Sequence, residues 1–277
     1  MNAKRRLSVA VVQGGPSSEA EVSRASAAGV AAGLKEAGHS VVRLELDPFL
    51  AESLRTGGYD VVFPVVHGAV GEDGSLQGLL EVLGLAYVGS GVLASALAMH
   101  KRIARVVFAQ AGLPLAKGTA ASRSGGESAA AVAARARSEV GARLVVKPSS
   151  QGSAIGVTRF GADAATAEVA RGIEAVWEID DYAVIEHFAR GREVTCGVLD
   201  LERAEALPPT EVLTPSDDFY TFQARYAPGR SIHVCPAELP AGVSEVVQRV
   251  ATTAHTALGC RHLSRVDFVV GDDGAPT

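Results

Sequence analysis

The segment LSVAVV (7–12) fixes the start of the fold. It is uncharged, rich in β-branched valine, and runs into Gln13-Gly14-Gly15 and an alanine-rich stretch ending at Ala37-Gly38. A short apolar run, a glycine turn and a helical stretch read as a buried strand feeding a helix. YDVVFPVV (59–66) repeats the pattern and ends in His67-Gly68. Strands alternating with helices argue for an α/β chain built on a parallel sheet with covering helices. Ser18 and Glu21 have the spacing of a capping box for the first helix.

With 277 residues, 47% of them hydrophobic, the chain can bury the cores of two or three domains. Its pattern divides it into three units, 1–97, 98–187 and 188–277. A helix is expected to run through His100-Lys101-Arg102. Ala129 to Val140 reads as a plain structural helix, and VVKPSSQGSAIGV (145–157) as a strand, a small-residue loop and a second apolar run. YAVIE (182–186), EVTCGVLD (193–200), SIHVCPAEL (231–239) and LSRVDFVV (263–270) read as strands. A helix is expected over about 244–258. Pro208, Pro209 and Pro215 open a long irregular stretch through Arg230, of a length that is usually functional or disordered inside a compact domain.

Several classes are disfavoured. The net charge is −5 and the basic residues are scattered, so there is no electrostatic footprint for nucleic acid. Lys4-Arg5-Arg6 before LSVAVV resembles a signal-peptide start, but the apolar part is too short. Val82 to Met99 is near the length of a membrane span, yet Gly84, Gly89 and Gly91 split it into a strand, a turn and a helix, so no membrane segment is expected. Cys196, Cys235 and Cys260 have no metal-like spacing, and three widely separated thiols suit a reducing cytoplasm. GGPSSE is not the dinucleotide fingerprint G-x-G-x-x-G.

Five clusters could carry chemistry. Lys147 ends an apolar strand, where burial is costly without an anionic partner. Pro148 keeps it extended, and Gly152, Ser153 and Gly156 supply a loop whose N–H groups can wrap a polyphosphate. The plainer alternative is a lysine snorkelling into a surface turn. In HGAVGEDGSLQG (67–78), His67 leaves a strand end, where ligands collect in open α/β sheets, and Glu72-Asp73-Gly74 is equally a turn with helix-starting acids. Glu19 at a helix start is either a dipole-favoured acid or a carboxylate for a substrate amine. Glu186 and Glu193 bracket a loop holding His187-Phe188; acids there can accept bonds from an adenine amine or a ribose hydroxyl, or simply be solvated. Arg265 and Asp267 share one face of a strand. They suit a magnesium-bound phosphate, or an internal ion pair.

In order along the chain, GGPSSEAEVS, HGAVGEDGSLQG, YVGSGVLASALAMHK, VVKPSSQGSAIGV, VIEHFARGREVT, FYTFQARY, CPAEL and SRVDF resemble the D-alanine–D-alanine ligases of the ATP-grasp superfamily. The resemblance implies an N-terminal Rossmann-like substrate domain followed by two domains that sandwich ATP. It implies that Lys101 and Lys147 reach the phosphates, that the backbone at His187-Phe188 meets the adenine edge, that Glu186 meets its amino group, and that Glu193 meets the ribose. Tyr220 and Arg225 fall on the nucleotide side, Arg225 where the family usually has lysine. Asp267 would ligate Mg²⁺ (or Mn²⁺), with two metal ions in the intact family, and Arg265 would stabilise the tetrahedral intermediate. Glu19 would hold the first D-alanine's ammonium, with His67 near its carboxylate and Glu72 also on the substrate side. Tyr226 would bond toward Ser153 and Glu19 and close the site; a tyrosine there fits dipeptide-forming ligases rather than those that make a D-lactate ester.

The implied partners are D-alanine and ATP, with a homodimer as a family expectation, and the implied role is in peptidoglycan precursor synthesis in the cytoplasm. His100 replaces an Asp of the usual Met-Asp-Lys, Ala154 a second serine, and Phe222 and Gln223 a Tyr and a Glu. The family's next strand carries Glu-x-Asn, whose side chains hold the metal ions. Thr277 lies just before that position, so the resemblance implies either a chain that continues or a catalytically defective nucleotide-binding relative. A ligase using D-serine or D-lactate is a further alternative.

Overall fold

The computed structural model describes residues 5–214 and 230–277. The chain forms two compact units, one of residues 1–96 with 259–262, the other of 97–258 with 263–277.

The first unit contains β1 (Ser8–Gln13), α1 (Ala20–Glu36), β2 (Ser40–Glu45), α2 (Leu50–Thr56), β3 (Val61–Pro64), α3 (Ser75–Val82) and most of α4 (Val92–Met99). The sheet order is β2-β1-β3, with both pairings parallel. Central β1 alternates between two cores, as a strand covered on both faces must. Val9 and Val11 pack with Ala27 and Ala31 of α1, while Ala10 and Val12 pack with Leu50, Leu54, Leu76 and Leu80. LAYV contributes only an isolated bridge, Val62 to Tyr87. The expected capping box does not form: α1 begins at Ala20, Glu19 is its N-cap residue without a side-chain cap bond, and Glu21 pairs with Arg24. The tighter turn that places the Ser17 hydroxyl against the Glu19 N–H (3.2 Å) moves Ser18 one residue short of the cap.

The second unit begins with α5 (Lys101–Gln110), β4 (Gly118–Ser122), α6 (Ala129–Glu139), β5 (Leu144–Pro148), β6 (Thr158–Phe160), α7 (Thr166–Trp177) and β7 (Tyr182–His187). These strands form an antiparallel sheet in the order β4-β7-β5-β6. Leu144, Val146, Ala183 and Ile185 point to one face and bury against Val132 and Ala136 of α6 and Val169 and Ile173 of α7. The helix expected through His100 is interrupted there: His100 is extended (φ −93°, ψ 90°), and α5 is a separate helix.

The rest of the second unit is β8 (Arg192–Asp200), β9 (Ala204–Ala206), β10 (Thr210–Leu213), β11 (Ile232–Val234), α8 (Val243–Leu258) and β12 (His262–Val270). The sheet runs β11-β10-β8-β12, with β9 on β8. Val194, Cys196, Val198, Phe268 and Val270 bury against Val243, Val247 and Ala251 of α8. Glu193, Thr195, Arg265 and Asp267 alternate with those core positions and so lie on the other face. The second unit thus carries two sheets with separate cores. No helix among the described residues is long and apolar enough to cross a membrane.

Candidate active site

In the first unit, the loops after β1 and β3 are tied together by α1. Fully buried Ser23 accepts the Gly14 N–H at 2.8 Å and donates to the Val65 carbonyl at 2.5 Å. The Ser17 hydroxyl donates to the His67 carbonyl at 2.8 Å. These bonds bring Glu19 and His67 to one place. Glu19 is only 5% exposed. Gly68 has φ +76°, and a Cβ there would come within 3.4 Å of Glu19 Oε2 and 3.2 Å of Ser17, so glycine suits both the backbone and the space. Its N–H donates to Glu72 Oε2 at 2.6 Å, and Glu72 Oε1 lies 3.9 Å from His67 Nδ1. Asp73 serves the turn, accepting from the N–H groups of Val70 and Ser75 at 2.8 and 2.9 Å. Burial pushes its carboxyl up, but those bonds outweigh it and hold it below the usual range. Sequence reasoning therefore finds three residues, Glu19, His67 and Glu72, that the fold brings together around Gly68.

In the second unit, Val145 and Lys147 share the face of β5 turned away from α6 and α7. Glu186 lies opposite Val145 on β7, so Lys147 is its diagonal neighbour. The two side chains form an ion pair, and Arg105 of α5 adds a second at 2.5 Å. Glu186 is 8% exposed. Burial pushes its carboxyl up, yet Lys147 and Arg105 more than offset this and hold it below the usual range. Lys101 begins α5 and donates through Nζ to the Gln151 carbonyl. Burial, followed by the charge of Lys147, lowers its ammonium to about 8.

The loop 149–157 leaves β5 directly after Pro148. Ser153 and Ala154 both have positive φ (+50° and +59°), followed by Gly156 at +69°. Two non-glycine residues in the left-handed region each cost about 1 kcal/mol, a strain typical of loops that hold ligands. The N–H groups of His187 and Phe188 are engaged within the protein, with the Lys117 and Arg143 carbonyls at 2.7 and 3.1 Å. The Phe188 ring lies 4.2 Å from the Arg159 guanidinium.

On the second sheet, Arg265 and Asp267 form the internal ion pair, with two bonds of 2.9 and 3.1 Å, and Thr195 donates to Asp267 at 2.8 Å. Both partners are more than half exposed, so this pair adds little to stability. Tyr220, Arg225 and Tyr226, with Phe222 and Gln223, lie outside the described residues.

Sequence reasoning missed Arg105, Gly118, Ser149 and Thr195. Arg105 lies four residues after Lys101 and so on the same helix face, a usable signal. Gly118 faces Glu186 across β4 and β7, a pairing that only the register discloses.

Residues 107–277, more than half of the chain, match the family described as D-ala D-ala ligase C-terminus, and residues 50–90 match the D-ala D-ala ligase N-terminus. This chain belongs to the D-alanine–D-alanine ligase family. It is 40% identical over 267 residues to the D-alanine–D-alanine ligase of Geotalea uraniireducens, covering 96% of this chain and 82% of that one. Among solved structures it is similar to the D-alanine–D-alanine ligase from Bacillus anthracis complexed with ATP. There the TM-score is 0.81 at 28% identity, with 98% of this chain and 84% of that chain covered. It is equally similar in fold to a D-Ala:D-Ser ligase from Enterococcus faecalis, with TM-score 0.82, 27% identity, and 98% and 88% covered. Ligases named for different second substrates therefore share this fold.

Proposed function

We propose that this chain is an ATP-dependent ligase that joins two D-alanines through an acyl phosphate, releasing ADP and phosphate. The observation that carries this reading is the cationic cluster of Lys101, Lys147 and Arg105 around buried Glu186, beside the strained loop 149–157. The ATP-bound relative extends it to the nucleotide.

A free carboxylate is a poor electrophile. Transfer of the γ-phosphoryl group to the first D-alanine's carboxylate supplies a leaving group. The second D-alanine's amine then attacks the carbonyl carbon, the C–N bond forms, phosphate departs with the C–O electron pair, and the nitrogen gives up one proton to phosphate or water. The protein's part is positioning and charge neutralisation. Lys101 and Lys147 face the phosphates, with the 149–157 loop and Ser153 closing over them. Glu186 holds Lys147 in place and meets the adenine amine, with the strand end at His187 and Phe188 along the base. Glu193 takes the ribose. Glu19 receives the first D-alanine's ammonium, with His67 and Glu72 beside it, and Arg265 faces the developing oxyanion. Tyr220, Arg225 and Tyr226 complete the nucleotide side and the closure.

Asp267 is the residue that would hold Mg²⁺. Among the described residues, no cluster of three or more His, Cys, Asp or Glu could hold a metal. The Asp267 carboxylate suits a hard, oxygen-preferring cation that would also draw ligands from phosphate and water. Such an ion, when bound, neutralises phosphate charge. Peptidoglycan precursor synthesis, a cytoplasmic location and a homodimer belong to the same proposal and rest on the family.

The test is phosphate release from ATP with D-alanine, D-serine or D-lactate as second substrate, with the product weighed by mass spectrometry. D-alanyl-D-alanine is the expected product. Preferred ester or mixed-dipeptide formation would overturn the acceptor, and ATP binding without D-alanine-dependent phosphate release would overturn the ligase.

A further inference from the structure

The chain breaks from helix at His100, between α4 and α5. His100 stands at the N-cap of α5, yet its side chain makes no capping bond. The first N–H groups of α5 go instead to Ser149, from the end of β5. Lys101 N–H donates to the Ser149 carbonyl at 2.8 Å, and Arg102 N–H to its hydroxyl at 3.1 Å. Ser149 thus satisfies orphan donors that a helix usually settles with its own N-cap.

Ser149 is fully buried, and its hydroxyl lies 2.8 Å from His100 Nδ1. That hydroxyl already accepts from Arg102 and has one proton to give. A buried donor left idle is costly. The bond therefore runs from the Ser149 hydroxyl to Nδ1, with the ring proton on Nε2. The ring itself is held edge-on to Tyr182 at 5.6 Å, and the Arg102 guanidinium lies 4.5 Å from the same tyrosine ring.

Ser149 is also the root of the 149–157 loop. The next residue, Ser150, donates its N–H to Asp180 at 2.7 Å, and Lys101 Nζ reaches the Gln151 carbonyl. One hydroxyl thus joins the start of α5, which carries Lys101, to the end of β5, which carries Lys147. We propose that His100 is a positioning residue for nucleotide binding: it orients the Ser149 hydroxyl, and so sets Lys101 and the root of the phosphate loop relative to Lys147. This rests on the reading of Lys101 and Lys147 as phosphate contacts.

The experiment is calorimetric titration of the full chain with ATP in Mg²⁺, for wild type, His100→Leu, His100→Asn, Ser149→Ala, the double variant His100→Leu/Ser149→Ala, and Lys147→Ala. Loss of one buried hydrogen bond predicts that His100→Leu and Ser149→Ala each weaken ATP binding about five- to tenfold. The double variant is expected to be no weaker than the worse single, because both remove the same bond. His100→Asn, whose side-chain oxygen can accept the Ser149 proton, is expected to restore the affinity. The inference is overturned if His100→Leu binds ATP as tightly as wild type while Lys147→Ala does not, or if His100→Asn is as weak as His100→Leu. If Lys147→Ala leaves affinity intact, the phosphate-contact reading itself falls. Should His100→Leu fail to fold, Ser149→Ala set against His100→Asn makes the same comparison.

Discussion

Lys147 and Glu186 are diagonal neighbours across β5 and β7, joined as an ion pair on the face that the helices α6 and α7 do not cover. Arg105 shares the same carboxylate. Glu186→Gln removes the counter-charge of two half-buried cations. It is expected to destabilise the fold by about 3 kcal/mol at neutral pH, read from denaturant unfolding. The pH dependence has a definite sign. The folded carboxyl lies below its ordinary value of 4.5, so its contribution is full above the unfolded value and is lost as pH falls through the folded one. The gap between wild type and variant should therefore narrow in acid. A gap that widens there would contradict the ion pair.

Lys101 titrates near 8, below its ordinary 10.5, because of burial and then Lys147. The unfolded chain holds that proton more tightly, so this group makes stability rise with pH between those two values. A bound polyphosphate restores the charge. ATP binding near pH 8 should take up protons, and affinity should fall as pH rises above that value. Calorimetry in two buffers of different ionisation heat measures the uptake; equal heats would refute it.

Gly118 faces Glu186 from β4. A Cβ there would lie 2.9 Å from Glu186 Cγ and the Ile185 carbonyl, and 3.0 Å from Arg105 Nη2. Gly118→Ala forces the ion-pair cluster to move, with an expected cost of about 1–3 kcal/mol and weaker ATP binding. Unchanged melting and unchanged ATP affinity would show that the cluster yields freely.

His255 offers a control. It is 2% exposed, with Nδ1 2.7 Å from Ser264 Oγ and Nε2 3.4 Å from Asp200. His255→Ala leaves a void and two polar groups short of a partner, for an expected loss of about 2–4 kcal/mol. Its ATP affinity, measured well below the melting transition, should match wild type. A selective loss of affinity would make His255 part of the site.

The sequence made the α/β start legible because LSVAVV and VVFP are short continuous apolar runs that alternate with helical stretches. It made Lys147, Glu186 and Asp267 visible because charges at the ends or on one face of apolar strands need partners. It misplaced the start of α1 and carried a helix through His100, since both boundaries depend on bonds to remote residues. Ser17, not Ser18, meets the Glu19 N–H, and Ser149 takes the first donors of α5.

By itself the sequence determined that apolar strands alternate with helices, and which charged residues stand at strand ends or on one face of a strand. Those properties follow from local hydrophobic period and from the cost of burying charge. Tertiary structure alone decided the pairings. Register set Lys147 beside Glu186 and Gly118 opposite it, and packing brought Arg105 to Glu186 and Ser149 to the start of α5 across many residues of chain. A hydrogen bond or ion pair between distant segments is fixed by where two backbones lie, and no local pattern in the chain encodes that distance.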